Sequence, residues 1–140
     1  MKRELDHFLH VRLINPWAAR RAGSPGDRFA LLETVGRKSG QPRQTPVGYG
    51  LEGDVLWIVS EHGRASGYVR NLESNPRVRI RVGGAWRDGT ARVVPDDDPL
   101  LRLKSYDPRT ANEVRRIGTS LLSVRVDLEP EPDIRAAEGR

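Results

Sequence analysis

The chain contains no cysteine, which rules out a disulfide framework, a thiol nucleophile and a thiolate metal site. Aromatic residues are scarce, 6% of the 140 positions. A surface that stacks single-stranded nucleic acid needs such rings interleaved with its cations, and no cluster of that kind occurs. The three histidines, His7, His10 and His62, are too scattered to form a metal motif, so no metal site is expected. No apolar run approaches the roughly 20 residues of a membrane-spanning helix. The opening MKRELDHFLH lacks the apolar core of a secretory leader, and a cytoplasmic protein is expected.

Positive charge is plentiful. Lys and Arg number 24 against 19 Asp and Glu, a net charge of +5. Such a balance points to an anionic partner: nucleic acid, an acidic surface or a polyanionic small molecule. The length suits one domain with a core of its own.

Leu5, Phe8, Leu9, Leu13 and Ile14 fit one stripe of a short N-terminal helix, ended by Asn15-Pro16. Strands are expected over Arg28–Val35 and Arg43–Leu51, with a hairpin turn at Glu52-Gly53-Asp54. Val55–Val59 is an apolar run of β-formers and reads as a central strand buried on both faces. The polar loop Ser60–Gly67 follows, then a short helix with Ser66 as N-cap and Tyr68, Val69 and Leu72 on one face, closed by Asn75-Pro76.

Arg77–Val82 alternates strictly, placing Val78, Ile80 and Val82 inward and three arginines outward. Gly83-Gly84 permits a primed turn into a strand over Ala85–Val94, with Gly89 expected as a bulge. Asp96, Asp97 and Asp98 suit the start of a helix through Leu100, Leu101 and Leu103. A second late helix holds Ala111, Val114 and Ile117, closed by Gly118. Leu121–Val126 is the last strand, and residues 129–140 are expected to form a mobile tail after a single domain over residues 1–128. Tight turns between neighbouring strands favour an antiparallel barrel or sandwich over a parallel sheet.

One loop concentrates the chemistry. Gly36-Arg37-Lys38-Ser39-Gly40-Gln41-Pro42-Arg43 sets cations and a hydroxyl between glycines, joining two strands, which makes an anion cradle. This run, followed by Thr45-Pro46, resembles the deazaflavin-dependent nitroreductase family. The strand ending in Ser60, the glycine loop, Tyr68-Val69-Arg70-Asn71-Leu72 and Asn75-Pro76 extend the resemblance over roughly residues 28 to 94.

The resemblance implies a mainly β fold with short helices, a six- to seven-stranded antiparallel split β-barrel, and coenzyme F-420, a deazaflavin with a phosphate and a polyglutamate tail. It implies that Arg37, Lys38 and Arg43 hold the phosphate and nearby carboxylates, with Ser39 and the backbone amides of Gly36–Gly40 completing the cradle. Thr45, Pro46 and Val47 then lie along the ring. Ser60, Glu61 and His62 approach its other side, and Tyr68 and Asn71 stand nearby.

The activity implied is hydride transfer from the reduced cofactor to a quinone, an enone or a nitro compound. The proton donor stays open among Tyr106, His62 and solvent. Glu61 stands where family members often carry lysine, and the late segment offers only Tyr106 where nitroreducing members supply several tyrosines. Quinones and enones are therefore expected as better acceptors than nitroimidazoles. The resemblance also implies a possible homodimer. Three alternatives stand beside it: a split barrel using FMN, a non-catalytic deazaflavin storage protein, and a nucleic-acid-binding barrel carried by Arg77, Arg79 and Arg81.

Overall fold

The computed structural model describes residues 21–130, so the expected N-terminal helix and most of the expected tail lie outside the described residues. Seven antiparallel strands form one sheet: β1 (Phe29–Val35), β2 (Pro42–Gly48), β3 (Gly50–Glu52), β4 (Val55–Ser60), β5 (Arg77–Val82), β6 (Ala85–Val94) and β7 (Leu122–Leu128). Three short helices accompany them, α1 (Gly67–Ser74), α2 (Pro99–Leu103) and α3 (Pro108–Ile117), with a 3₁₀ turn at Gly63–Ala65.

The sheet order is β2-β1-β5-β6-β7-β4-β3. Its two outermost strands are consecutive in the chain, with only Tyr49 between them. A flat sheet cannot satisfy that connection, so the sheet curls into a half-barrel. The single strand expected over Arg43–Leu51 is in fact two, the first pairing with β1 and the second with β4. Glycines make the corner possible. A Cβ on Gly48 would lie 2.6 Å from both Tyr106 and Thr110, and one on Gly50 would run into Ser105.

Alternation along β4 separates two cores. Leu56 and Ile58 face the inside of the curl, with Leu32, Ile80, Val124, Val126 and, from α1, Val69 and Leu72. Val59 faces outward, under Leu103, Tyr106, Ala111 and Val114 of the late helical segment. Thus β4 is buried on both faces as its composition indicates, although it lies next to the sheet's edge.

The expected bulge at Gly89 is absent. Pairing runs without interruption through Val78↔Gly89 and Gly89↔Leu128. The glycine serves close approach instead, because a Cβ there would lie 2.9 Å from the Asp127 carbonyl oxygen. Gly83 and Gly84 do take positive φ, 59° and 85°, as a primed turn demands. Beyond β7, Glu129 N–H donates to the Asp88 carbonyl at 2.9 Å.

Two of the three outward arginines of β5 are matched by carboxylates. Arg77 meets Glu129 at 2.9 Å, and Arg79 meets Glu33 at 3.3 Å while stacking 4.8 Å over Trp86. That is the pattern of a solvated, charge-balanced face, and it does not favour the nucleic-acid reading. No described helix is long and apolar enough to cross a membrane.

One polar fastener holds the late helices to the sheet. The Arg102 guanidinium lies 3.7 Å from the Trp57 ring centre and forks onto Asp97, at 2.9 Å through Nε and 2.6 Å through Nη2. Ser123 Oγ donates to the same carboxylate at 2.6 Å. Arg102 above all holds the Asp97 carboxyl below its usual range. A carboxyl held low in the folded state stabilises fully above its unfolded value, about 3.9, and loses that contribution as pH falls through its folded value. Arg102→Ala is expected to cost about 1.5–3 kcal/mol at neutral pH. Urea denaturation at pH 7 and pH 3 checks this: the gap between wild type and variant should narrow in acid.

Candidate functional site

The cradle lies between β1 and β2. Gly36 N–H donates to the Gln41 carbonyl and Gly40 N–H to the Gly36 carbonyl, each at 2.8 Å, and Gly40 takes a φ of +69° to close the turn. Ser39 Oγ accepts from Gln41 N–H at 3.1 Å and from Arg43 Nη2 at 3.4 Å. Lys38, Ser39, Gly40 and Arg43 are exposed, and Arg37 is half-buried.

What fixes this loop comes from α1. Asn71, buried at 6% exposure, accepts through Oδ1 from Arg37 N–H at 3.2 Å and from Arg37 Nη1 at 2.9 Å. Its Nδ2 donates to Thr34 Oγ1 at 3.2 Å. Sequence reasoning put Asn71 at the site and missed Thr34. The signal was available: Thr34 continues the inward positions Ala30 and Leu32 of β1, and an inward hydroxyl requires a partner.

The same helix carries the second half of the constellation. Tyr68, one turn before Asn71, packs against the inner core and lies beside the Ser60 hydroxyl. Ser60 is fully buried and donates to the Gly63 carbonyl at 2.9 Å. It also bonds Ser66 Oγ at 3.1 Å, so the Ser66 hydroxyl is spent there and makes no helix cap. Thus α1 bridges the cradle at Asn71 and the end of β4 at Ser60. On β2, Val47 is buried while Thr45 and Pro46 are half-buried.

Beyond Ser60 the chain is laced to the segment after α3. Thr119 and Ser120 N–H groups donate to the Glu61 carbonyl at 2.9 and 3.0 Å, and His62 Nδ1 lies 2.9 Å from Thr119 Oγ1. Burial pushes the Glu61 carboxyl above its usual range, with His62 pulling it back and Glu113 adding to the rise. Burial likewise pushes the Tyr68 and Tyr106 phenols well up.

Tyr106 is the expected site residue farthest from its anticipated role. It is buried at 5% exposure in the outer core, and its phenol oxygen accepts from Val59 N–H at 2.7 Å. Its ring also backs the glycine corner at Gly48. These contacts make Tyr106 part of the packing between β4 and the late helices. The tyrosine-poor face of α3 instead exposes Arg109, held on Asp107 at 3.0 Å, and Asn112. That pairing pulls the Asp107 carboxyl down to about 2.

A family model described as F420H(2)-dependent quinone reductase matches residues 14–129. The chain belongs to this family. An F420H(2)-dependent quinone reductase of Mycobacterium tuberculosis is 42% identical over 72 residues, covering 49% of this chain and 48% of that protein. The chain therefore spans about half the length of the curated relatives it matches.

Among solved structures, an F420-H2 dependent reductase, FDR-A, aligns with a TM-score of 0.54 at 24% identity, covering 73% of this chain and 94% of that one. The heme storage protein HutZ of Vibrio cholerae aligns at 0.55 and 19%, covering 75% and 84%. At those identities the likeness concerns the fold, a split barrel that serves a reductase in one case and heme storage in the other. The family that the GRKSGQPR run brings to mind and the family whose model matches share a cofactor in their names and differ in the acceptor.

Proposed function

We propose that this protein binds coenzyme F-420 on the Gly36–Arg43 cradle and uses its reduced form to reduce quinones. One observation carries the reading. Like Arg81, Arg92 and Arg116, Lys38 and Arg43 meet no carboxylate among the described residues, but these two stand exposed together on one glycine-bounded loop. They extend from a loop that Asn71 holds in place, with Ser39 and turned backbone amides beside them. That donor set suits a phosphate and the carboxylates beyond it.

When bound, the reduced deazaflavin supplies a hydride to an electrophilic acceptor, so the chain's work is to bind, orient and exclude water. Lys38, Arg43, Arg37 and Ser39 hold the anionic arm. Thr45, Pro46 and Val47 border the ring on the β2 side, and Ser60, Tyr68 and the Glu61–His62 turn border it on the other. Tyr106 we assign to the core and not to proton delivery, since it is buried at 5% exposure among Val59, Leu103, Ala111 and Val114 on the outer face of β4. A pairing of two copies belongs to the same proposal, supported by the apolar Leu100 and Leu101 exposed on α2.

Titration with F-420 and with FMN, followed by stopped-flow oxidation of the reduced cofactor, tests the proposal. F-420 should bind more tightly than FMN, because the longer anionic arm meets more of the loop's cations. A quinone should oxidise it faster than a bicyclic nitroimidazole, because Arg109 and Asn112 offer flat nitroaromatics no aromatic partner, worth about 0.5–1.5 kcal/mol per aromatic pair. Tighter FMN binding would sink the cofactor assignment, and faster nitroimidazole reduction would sink the acceptor preference. Light scattering of the loaded sample should give the mass of two chains; a constant mass of one would remove the pairing.

A further inference from the structure

A groove of about 280 Å³ lies where the 3₁₀ turn, the end of α1 and the last residues of β6 meet. Leu72 and Pro76 give it an apolar lining, and Arg64, Glu73 and Arg92 stand around it. It is on the flank of α1 away from the cradle. Residues two apart on a helix point about 200° from each other. Asn71 reaches Thr34 and the cradle, whereas Glu73 reaches Arg64 at 3.3 Å.

The sheet leaves a backbone donor here. β5 begins at Arg77, opposite Thr90, so Ala91–Val94 have β7 on one side and no strand on the other. Ala91 N–H turns to the open side and reaches the Pro76 carbonyl at 2.9 Å. Amide directions repeat at every second residue of a strand, so Val93 N–H turns the same way, beyond the start of β5, toward the groove that Val93 lines.

Two guanidiniums share this groove with one carboxylate. Arg64 is met by Glu73, and Arg92 meets no carboxylate among the described residues. Across the ladder Arg92 faces another arginine, Arg125, whose own partner is Asp127 at 2.9 Å. Like charges directly opposite each other repel. The groove therefore holds one positive charge in excess, which a single anion balances.

We propose that this groove binds a small organic carboxylate, at a second site separate from the cofactor cradle. The carboxylate accepts from the Arg64 and Arg92 guanidiniums and from Val93 N–H, and a short apolar chain lies on Leu72 and Pro76. A monoanion matches the excess charge. The volume is below the roughly 300 Å³ at which drug-sized and cofactor sites begin, which limits the ligand to a few carbons. An inorganic anion would leave the apolar lining uncovered.

Amide-resolved NMR titration of the cofactor-free protein tests this, with hexanoate, acetate and chloride at equal ionic strength. Hexanoate should shift the Leu72, Glu73 and Val93 amides saturably and bind at least about tenfold more tightly than acetate, because its extra methylenes are covered. R92A should weaken it about tenfold. E73Q should tighten it about 2- to 5-fold, since Arg64 is then released to the ligand. The K38A/R43A double variant should bind hexanoate as wild type does. All of these positions are exposed, and the variants' own spectra report that they fold. The absence of saturable shifts, equal binding of acetate and hexanoate, or an unchanged affinity in R92A would overturn the proposal. Shifts centred on Gly36–Arg43, or loss of binding in K38A/R43A, would place the carboxylate in the cradle and overturn it too.

Discussion

Replacing Asn71 with alanine is expected to release the Gly36–Arg43 cradle from the body of the protein, lowering both stability and cofactor affinity. Asn71 makes three hydrogen bonds from a buried position, two to Arg37 and one to Thr34. Alanine leaves the buried Thr34 hydroxyl and the Arg37 backbone N–H without that partner, at about 1–3 kcal/mol for each unsatisfied group. A loss of about 2–4 kcal/mol in urea denaturation follows, because partial access of water to the loop relieves some of the cost. The freed loop must then be ordered anew by each anion it binds. F-420 affinity should fall about 10- to 100-fold, which corresponds to about 1.4–2.8 kcal/mol. Asn71→Asp separates the two effects: it keeps the acceptor for Arg37, and the Thr34 hydroxyl, which accepts from Asn71 in the wild type, can turn to donate to the new carboxylate, so it should bind the cofactor better than the alanine variant. Unchanged affinity in Asn71→Ala would show that the cradle holds its shape without α1.

Much of this arrangement is legible in the sequence, and the misses have identifiable physical causes. Arg77–Val82 shows its face and partner plainly, because alternation and the Gly83-Gly84 turn act within a few residues. The break at Tyr49 does not show. Pro42–Glu52 is locally one extended segment, and only the closing of the sheet decides that its halves pair with opposite edges. Gly48, Gly50 and Gly89 are visible as glycines, but the reason for each is a neighbour distant in sequence: Tyr106, Ser105 and Asp127. Local rules turn Gly89 into a bulge; long-range packing makes it a flat point of contact.

The site divides in the same way. The cradle is written in eight consecutive residues and is readable as a motif. Its support is not, since Thr34 and Asn71 meet across 37 positions. Tyr106 illustrates the converse: a lone tyrosine near a predicted pocket suggests chemistry, and its packing under the late helices, with Val59 N–H on its oxygen 47 positions away, is set by contacts that no local pattern shows.

The double substitution Lys38→Ala/Arg43→Ala addresses binding with little effect on folding. Both residues are exposed, and the one hydrogen bond given up is the 3.4 Å contact from Arg43 to Ser39. Stability should therefore stay within about 0.5 kcal/mol of wild type. Two charge-assisted contacts to the phosphate and tail, at about 1.5–3 kcal/mol each, amount to about 3–6 kcal/mol. Exposure and screening over about 8 Å at physiological salt place the effect at the lower end, so F-420 should bind about 100-fold more weakly. Wild-type affinity should fall as salt rises, and the variant's should fall much less, because the charges that salt screens have been removed. FMN, with one phosphate and no polyanionic tail, should lose less than F-420 does. An affinity for F-420 that the double substitution leaves intact would mean that the anion sits elsewhere and the cradle reading is wrong. If affinity falls as expected yet the loaded wild-type protein oxidises its reduced cofactor with no quinone, the cradle stands and the protein is a deazaflavin carrier: the cations and the Asn71 support that order the loop serve binding, and a chain that keeps them can retain binding without turnover.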